Sequence, residues 1–118
     1  MGEVTSPPTK LTSHTFEEAI GGDGSAVAVA FLADWCAPCR LLRPTLTDIA
    51  SQLPHQITMA EVDVDAEPGL ASRYHVEVLP TVVAFRRGCP VLRLTGSLAN
   101  EQLLEDLSDI ANPRRAKE

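Results

Sequence analysis

Runs and spacings of apolar residues along the chain predict alternating strands and helices. A continuous run of small or β-branched apolar residues spans 26–32, as expected of a strand buried on both faces. Downstream, four apolar residues recur at spacings of four, three and four, which predicts one face of a helix. They are Leu42, Leu46, Ile49 and Leu53. A second run at 57–64 predicts another buried strand, so strand and helix alternate in this part of the chain.

Shorter patterns complete the predicted order of elements. These are helices at 16–20 and 67–74, strands at 80–86 and 91–95, and a final amphipathic helix carrying Leu103, Leu107 and Ile110. From the first strand onward the order β-α-β-α-β-β-α implies a central mixed sheet with helices on both faces, which is an α/β architecture. The last two strands are joined by a predicted hairpin turn, Arg87-Gly88-Cys89-Pro90.

Length and composition predict one folded domain with mobile ends. A chain of 118 residues with 44% hydrophobic content can bury an ordinary core without disulfide support. Residues 1–10 contain Pro7-Pro8 and no periodicity, so we expect a flexible arm there. The domain is expected at 11–111, followed by a flexible polar tail at 112–118.

Charge and segment type argue against several classes of partner. Ten basic and sixteen acidic residues give a net charge of −6, which disfavours binding to nucleic acid. The apolar runs are too short to span a bilayer, and the first ten residues lack the features of a signal peptide. Gly2 with Ser6 fits a loose myristoylation pattern, but we favour an ordinary start and leave modification of Gly2 open. No membrane partner is therefore expected.

Trp35-Cys36-Ala37-Pro38-Cys39 is the segment that carries chemistry. Cys36 stands between a predicted strand and a predicted helix, where unpaired N–H groups and the helix dipole favour a thiolate. Cys39 follows one turn later, close enough to attack whatever Cys36 captures, so the pair predicts dithiol–disulfide exchange. A structural zinc site needs four ligands, and no second closely spaced pair of Cys or His is present. We therefore expect no metal.

The segments that carry a family resemblance are Trp35-Cys36-Ala37-Pro38-Cys39, Glu61-Val62-Asp63-Val64-Asp65, Leu79-Pro80-Thr81, Gly88 and Gly96. Together, over roughly 11–111, they resemble the thioredoxin family. The resemblance implies a thioredoxin fold, with a central mixed sheet sandwiched by helices, and the activity of a protein disulfide reductase. The reducing members of the family have proline at the position of Pro38, whereas the oxidising and isomerising members often have histidine between the two cysteines. This chain has the proline and no such histidine, so it resembles the reducing members.

The resemblance also implies roles for individual residues. Cys36 resembles the exposed nucleophile, Cys39 the buried resolving thiol, and Pro80 the cis-proline of the family. A shallow apolar groove for substrates is implied at Trp35, Ala37, Pro38, Val78, Leu79, Pro80 and Gly96.

Partners and cofactors follow from the same resemblance. The implied substrates are disulfide-containing client proteins, and the Cys36–Cys39 disulfide takes the place of a cofactor. The chain has no dinucleotide-binding glycine motif, so its electrons must come from thioredoxin reductase or another protein donor. A single CxxC fits a reducing compartment, and we expect a cytoplasmic monomer.

Two positions beneath the cysteines depart from the family pattern. Ala30 stands where thioredoxins carry a buried aspartate, and Glu61 stands where they carry a lysine. Strand alternation places Ile57, Met59 and Glu61 on one face, and the family resemblance implies that this face is turned toward Cys39. Because Glu61 is expected to be buried without a basic partner, it is a candidate proton relay. The alternative is that Glu61 points outward or is tolerated without a function, and that water carries the proton.

Two further questions stay open at the level of sequence. A thioredoxin-fold binding or holdase module, in which redox chemistry is secondary, is the alternative to an enzyme. Cys89 is predicted to be accessible, either as a redox-modified thiol or as a plain exposed side chain, and we favour the latter.

Overall fold

The structure, a computed structural model, describes residues 8–22, 24–96 and 100–111. Residues 1–7 of the predicted arm therefore lie outside the described residues, and so does the whole predicted tail at 112–118. The elements are β1 (Thr9–Lys10), α1 (Phe16–Ile20), β2 (Ala26–Leu32), α2 (Ala37–Gln52), β3 (Ile57–Asp63), α3 (Pro68–Arg73), β4 (Thr81–Arg86), β5 (Cys89–Thr95) and α4 (Asn100–Ala111).

The strands form the mixed sheet that the order of elements predicts. Their order across the sheet is β1-β3-β2-β4-β5. Strands β1 and β2 run parallel to β3, whereas β4 runs antiparallel to both β2 and β5. Central strand β2 is hydrogen-bonded on both sides, which agrees with its unbroken apolar sequence.

Strand β1 corrects the predicted arm of residues 1–10. Thr9 pairs with Ala60 and Lys10 pairs with Glu61, both in parallel register. Both residues of β1 are exposed and the strand is only two residues long, so it carries no apolar alternation that could have revealed it. Its pairing rests on backbone hydrogen bonds, which do not depend on residue type.

Alternate residues of β2 serve two separate cores, one on each face of the sheet. Ala28, Ala30 and Leu32 pack with the buried residues of α2 and α4. Val29 and Phe31 face the other way and pack with buried residues of α1 and α3. The first cluster also contains Cys36 and Cys39, so both cysteines of the motif lie on this face of the sheet.

The hairpin between β4 and β5 is tighter than predicted. Its turn contains only Arg87 and Gly88, because Cys89 and Pro90 already belong to β5 and Arg86 pairs with Cys89. Arg87 has φ 53° and Gly88 has φ 82°. Positive φ at both central residues is the requirement of a two-residue hairpin turn that matches the twist of the strands.

Gly88→Ala should lower the free energy of unfolding by about 1 kcal/mol, because φ 82° is unfavourable for a residue with a Cβ. A matched control is Gly69→Ala, since Gly69 lies in α3 and an added Cβ meets nothing within 4 Å at either glycine. The control should be neutral or slightly stabilising. Urea denaturation measures both variants, and an equal effect of the two substitutions would contradict this account of the turn.

Candidate active site

The two cysteines of the motif occupy the N-terminus of α2, directly after the loop that follows β2. Cys36 is the N-cap residue, and its Sγ accepts a hydrogen bond from the backbone N–H of Cys39 at 3.2 Å. The N–H of Cys36 in turn donates to the Ala33 carbonyl at 3.2 Å. Pro38 lies in the first turn, where a residue without an N–H loses no helical bond. The free N–H end of the helix is therefore directed at the sulfur of Cys36.

Both sulfurs belong to the core, but to different degrees. Cys36 is 6% exposed and Cys39 is 0% exposed, and neither is joined in a disulfide. Cys36 is thus less exposed than the family resemblance implied, because it packs against the cluster that β2, α2 and α4 share. It nevertheless lines an open groove, whereas Cys39 has no exposed surface.

Burial sets the protonation of the inner thiol. Desolvation is the largest influence on Cys39, and together with its hydrogen bond to Cys36 it raises the pKa from 9.0 to about 11. A hydrogen bond with the Ala33 backbone acts in the opposite direction and lowers this pKa, and the charge of Arg43 lowers it further. In the dithiol form, Cys39 therefore holds its proton at neutral pH and can act only after Cys36.

The groove beside Cys36 has a volume of about 720 Å³. Of the residues predicted to line it, Trp35, Ala37, Pro38 and Leu79 do so. Trp35 is 67% exposed, and its indole N–H donates to a carboxylate oxygen of Asp65 at 3.3 Å. The opposite wall, formed by Val64, Pro68, Ala71 and Val76, was missed by sequence reasoning. These residues come from the position after β3, from α3 and from the segment after α3, so no local pattern connects them with the cysteines.

Three predicted groove residues lie beside this groove rather than in its wall. The Leu79–Pro80 peptide bond is cis, as predicted, and Pro80 is buried. Its carbonyl accepts a hydrogen bond from the N–H of Gly96 at 2.9 Å, which brings that predicted residue next to it. Val78 is 51% exposed, and its carbonyl accepts a hydrogen bond from the Thr81 hydroxyl at 2.5 Å.

The two departures from the family pattern meet in the sheet. Ala30 on β2 is in register with Glu61 on β3, so both side chains lie on the face that carries α2. Ala30 is fully buried in the cluster that contains Cys39. Glu61 is 7% exposed, which excludes the outward-pointing alternative for its side chain.

Glu61 has a basic partner, and the expectation that it lacks one is wrong. The Nη1 of Arg43 donates to a carboxylate oxygen of Glu61 at 2.8 Å, and its Nη2 lies 3.5 Å from a carboxylate oxygen of Asp34. The departures from the family pattern concern the strand positions 30 and 61, whereas this cation comes from α2. The signal was available, because residues four apart share one side of a helix and Arg43 follows Cys39 by four.

Residues of the types that bind metal ions form no cluster in the described part of the chain. Within residues 8–22, 24–96 and 100–111, no group of three or more His, Cys, Asp or Glu could hold a metal ion. Cys89 is exposed at the start of β5 and unpaired. None of the helices among these residues is long and apolar enough to cross a membrane.

Comparison with known proteins places this geometry in a family. Residues 7–109 match the family model described as Thioredoxin. A thioredoxin of Mycolicibacterium smegmatis is 39% identical over 101 residues, which cover 84% of this chain and 90% of that protein. A bifunctional thioredoxin reductase/thioredoxin of Mycobacterium leprae (strain TN) is 38% identical over 101 residues. That match covers 86% of this chain but only 22% of the bifunctional protein.

The fold has a close counterpart among solved structures. A mutant thioredoxin from Halobacterium salinarum NRC-1 superposes with a TM-score of 0.81 and 28% sequence identity. The likeness covers 95% of this chain and 97% of that one. The sheet order and both helical layers are thus those of the thioredoxin fold.

The raised pKa of Cys39 should make the stability of the reduced protein depend on pH. Because the folded state holds this proton more tightly, the stabilisation is fully present below pH 9.0 and is lost as the pH rises through about 11. Between about pH 8 and pH 11, reduced wild type should lose roughly 2 kcal/mol more than Cys39→Ala in urea denaturation. Cys89→Ala is the control and should behave as wild type, because Cys89 is exposed. The same pH dependence in wild type and Cys39→Ala would refute the assignment.

Proposed function

The chain belongs to the thioredoxin family, and we propose that Cys36 is its nucleophile and Cys39 its resolving thiol. The protein is a thiol–disulfide oxidoreductase, which reduces substrate disulfides by dithiol–disulfide exchange. One observation carries the assignment of roles: Cys36 lines a groove, whereas Cys39 is fully buried and holds its proton. A substrate sulfur can therefore approach Cys36 but not Cys39.

The reaction proceeds in two exchanges. The thiolate of Cys36, whose Sγ accepts the N–H of Cys39, attacks one sulfur of the substrate disulfide and releases the other as a thiolate. A mixed disulfide between Cys36 and the substrate results. Cys39 then loses its proton and attacks the sulfur of Cys36. The Cys36–Cys39 disulfide forms, the second substrate sulfur leaves as a thiol, and two electrons have passed to the substrate.

The substrate-binding surface combines the observed groove with the segment around the cis-proline. Trp35, Ala37, Pro38 and Leu79 supply an apolar floor at the nucleophile. An extended segment of a client protein would lie across this floor and along the backbone at Val78, Pro80 and Gly96. Backbone contacts of this kind depend little on the side chains of the client, so the surface suits disulfides in many proteins.

Cofactor, electron donor and location follow from the chemistry. The two sulfurs store and deliver both electrons, so the protein works without a bound cofactor. Returning the disulfide to the dithiol requires a protein donor, and we assign this role to a thioredoxin reductase. Such a cycle needs a reducing compartment, which supports the cytoplasm, and a groove formed within one chain supports a monomer.

Serine variants of the cysteines test these roles in an insulin-reduction assay with a chemical reductant. Cys36→Ser should abolish reduction, because no other sulfur reaches the groove. Cys39→Ser, reduced beforehand and mixed with insulin after the reductant has been removed, should stop at the mixed disulfide and accumulate a covalent adduct with the substrate, detectable by mass spectrometry. Cys89→Ser is the matched control and should keep wild-type activity, since Cys89 is exposed outside the site. Full activity in Cys36→Ser, or adducts on Cys39 in wild type, would overturn the assignment.

The proton-relay role of Glu61 stays a prediction, now with an ion pair as its setting. The carboxylate faces the side of the sheet on which Cys39 lies, and a relay would take the proton that Cys39 loses. Glu61→Gln keeps an acceptor for the Arg43 guanidinium and removes the proton acceptor. The relay predicts a slower second exchange around neutral pH in this variant. An unchanged pH–rate profile would eliminate the relay and leave water as the acceptor.

A further inference from the structure

A guanidinium lies between the helix that carries the resolving thiol and the strand beneath it. Arg43 follows Cys39 by four residues on α2, which places the two side chains one turn apart on the same side of the helix. From there its Nη1 reaches Glu61 on β3 at 2.8 Å. The Arg43 side chain is 33% exposed and that of Glu61 is 10% exposed, so the contact is largely shielded from water.

The arrangement of charges fixes the position of this guanidinium. A buried carboxylate without a cation is costly, so Glu61 holds Arg43 against the sheet. Asp34, in the loop before Cys36, provides a second acceptor at 3.5 Å. Arginine suits this place because its planar guanidinium can address two carboxylates at once and stays charged at every relevant pH. Release of Arg43 into water would leave Glu61 buried and unpaired.

We propose that Arg43 is a positioning residue for the second exchange, in which its guanidinium, held by Glu61, stabilises the negative charge that forms on the sulfur of Cys39. The proposal rests on the proposed function, since it assigns the second step to Cys39. It also explains both departures from the family pattern, Ala30 and Glu61, by one arrangement of charges. With no acid on β2, the charge that acts on Cys39 is a cation on α2, and the acid on β3 anchors that cation.

The step balances without any further reactant. Cys39 gives up its proton and its sulfur attacks Cys36, which is bonded to the substrate sulfur. The S–S bond between Cys36 and the substrate breaks as the Cys36–Cys39 bond forms. The substrate sulfur leaves with the electron pair and takes up a proton, so the proton lost by Cys39 is matched. Arg43 exchanges no proton and lowers only the cost of the intermediate thiolate.

Few other charged groups of the described residues face Cys39. Cys36 caps the N-terminus of α2, and Glu61 and Asp34 are engaged with Arg43. Lys10, in register with Glu61 on β1, is exposed. The elements β2, β4 and α4 contribute apolar side chains to the cluster around Cys39, among them Ala30, Val82, Leu103 and Leu107. Arg40, next to Cys39 on α2, is exposed, and its guanidinium donates to the Asp34 carbonyl at 3.1 Å. Arg43 is the cation whose charge lowers the pKa of Cys39.

Stopped-flow release of the thionitrobenzoate chromophore tests the proposal in a Cys89→Ser background. With excess aromatic disulfide reagent, the first released equivalent reports attack by Cys36. The second, whose rate no longer depends on reagent concentration, reports attack by Cys39. Arg43→Met should raise the midpoint of the pH dependence of the second release by about one unit. At neutral pH the second release should be about threefold slower, because a thiolate of higher pKa is scarcer but more nucleophilic. The first release should stay within about twofold of that of the parent protein.

Three further variants separate charge from structure. Arg43→Gln can still donate a hydrogen bond to Glu61 but carries no charge, so it should behave as Arg43→Met. It replaces Arg43→Met in the test if Arg43→Met does not fold. Arg43→Lys should restore the midpoint of the second release, because it restores the cation. Arg87→Met removes an arginine from the hairpin turn and should match the parent protein.

The outcomes distinguish failure of this proposal from failure of the proposed function. A second release that is slower at every pH, with its midpoint unmoved in both Arg43→Met and Arg43→Gln, would overturn the role of Arg43 and indicate a structural effect. Absence of any second release in the parent protein would instead overturn the role of Cys39. A raised midpoint in both neutral variants, with recovery in Arg43→Lys, would support the proposal.

Discussion

Desolvation of the Cys39 sulfur is the constraint on which the site depends. Cys39 lies in the buried cluster that β2, α2 and α4 share, and it is thereby removed from water. Burial raises its pKa to about 11, whereas the first cysteine lines a groove and receives the N–H end of the helix. Two chemically identical side chains thus acquire different roles, because the fold gives them different access to water and to backbone dipoles.

A buried thiol that must ionise during the reaction needs compensation. The family pattern supplies charged residues on two neighbouring strands, but this chain has Ala30 on one and an acid on the other. Its cation comes from the helix instead, at Arg43, and Glu61 holds that cation in place. An acid can replace the lysine of the family on β3 because Arg43 of α2 pairs with it. The cation on the side of the sheet that carries the thiol thus comes from the helix and not from a strand.

Much of this fold could be predicted from sequence, because its strands and helices carry strong periodicity and the two cysteines stand at a strand–helix junction. Strand β1 could not, since two exposed residues that pair through their backbone leave no pattern. The groove wall at Val64, Ala71 and Val76 requires tertiary packing to reach Cys36. The Arg43–Glu61 pair joins residues eighteen positions apart, and alignment of strand positions alone predicted an unpaired acid.

The difference between the two thiols can be measured directly by NMR titration of the cysteine Cβ carbons in the reduced protein. The account predicts that the Cβ signal of Cys39 stays at its thiol position through neutral pH and titrates with a pKa of about 11. The position of that midpoint reports the desolvation of one sulfur, without any substrate or partner. A midpoint for Cys39 at or below its ordinary value of 9.0 would contradict the account.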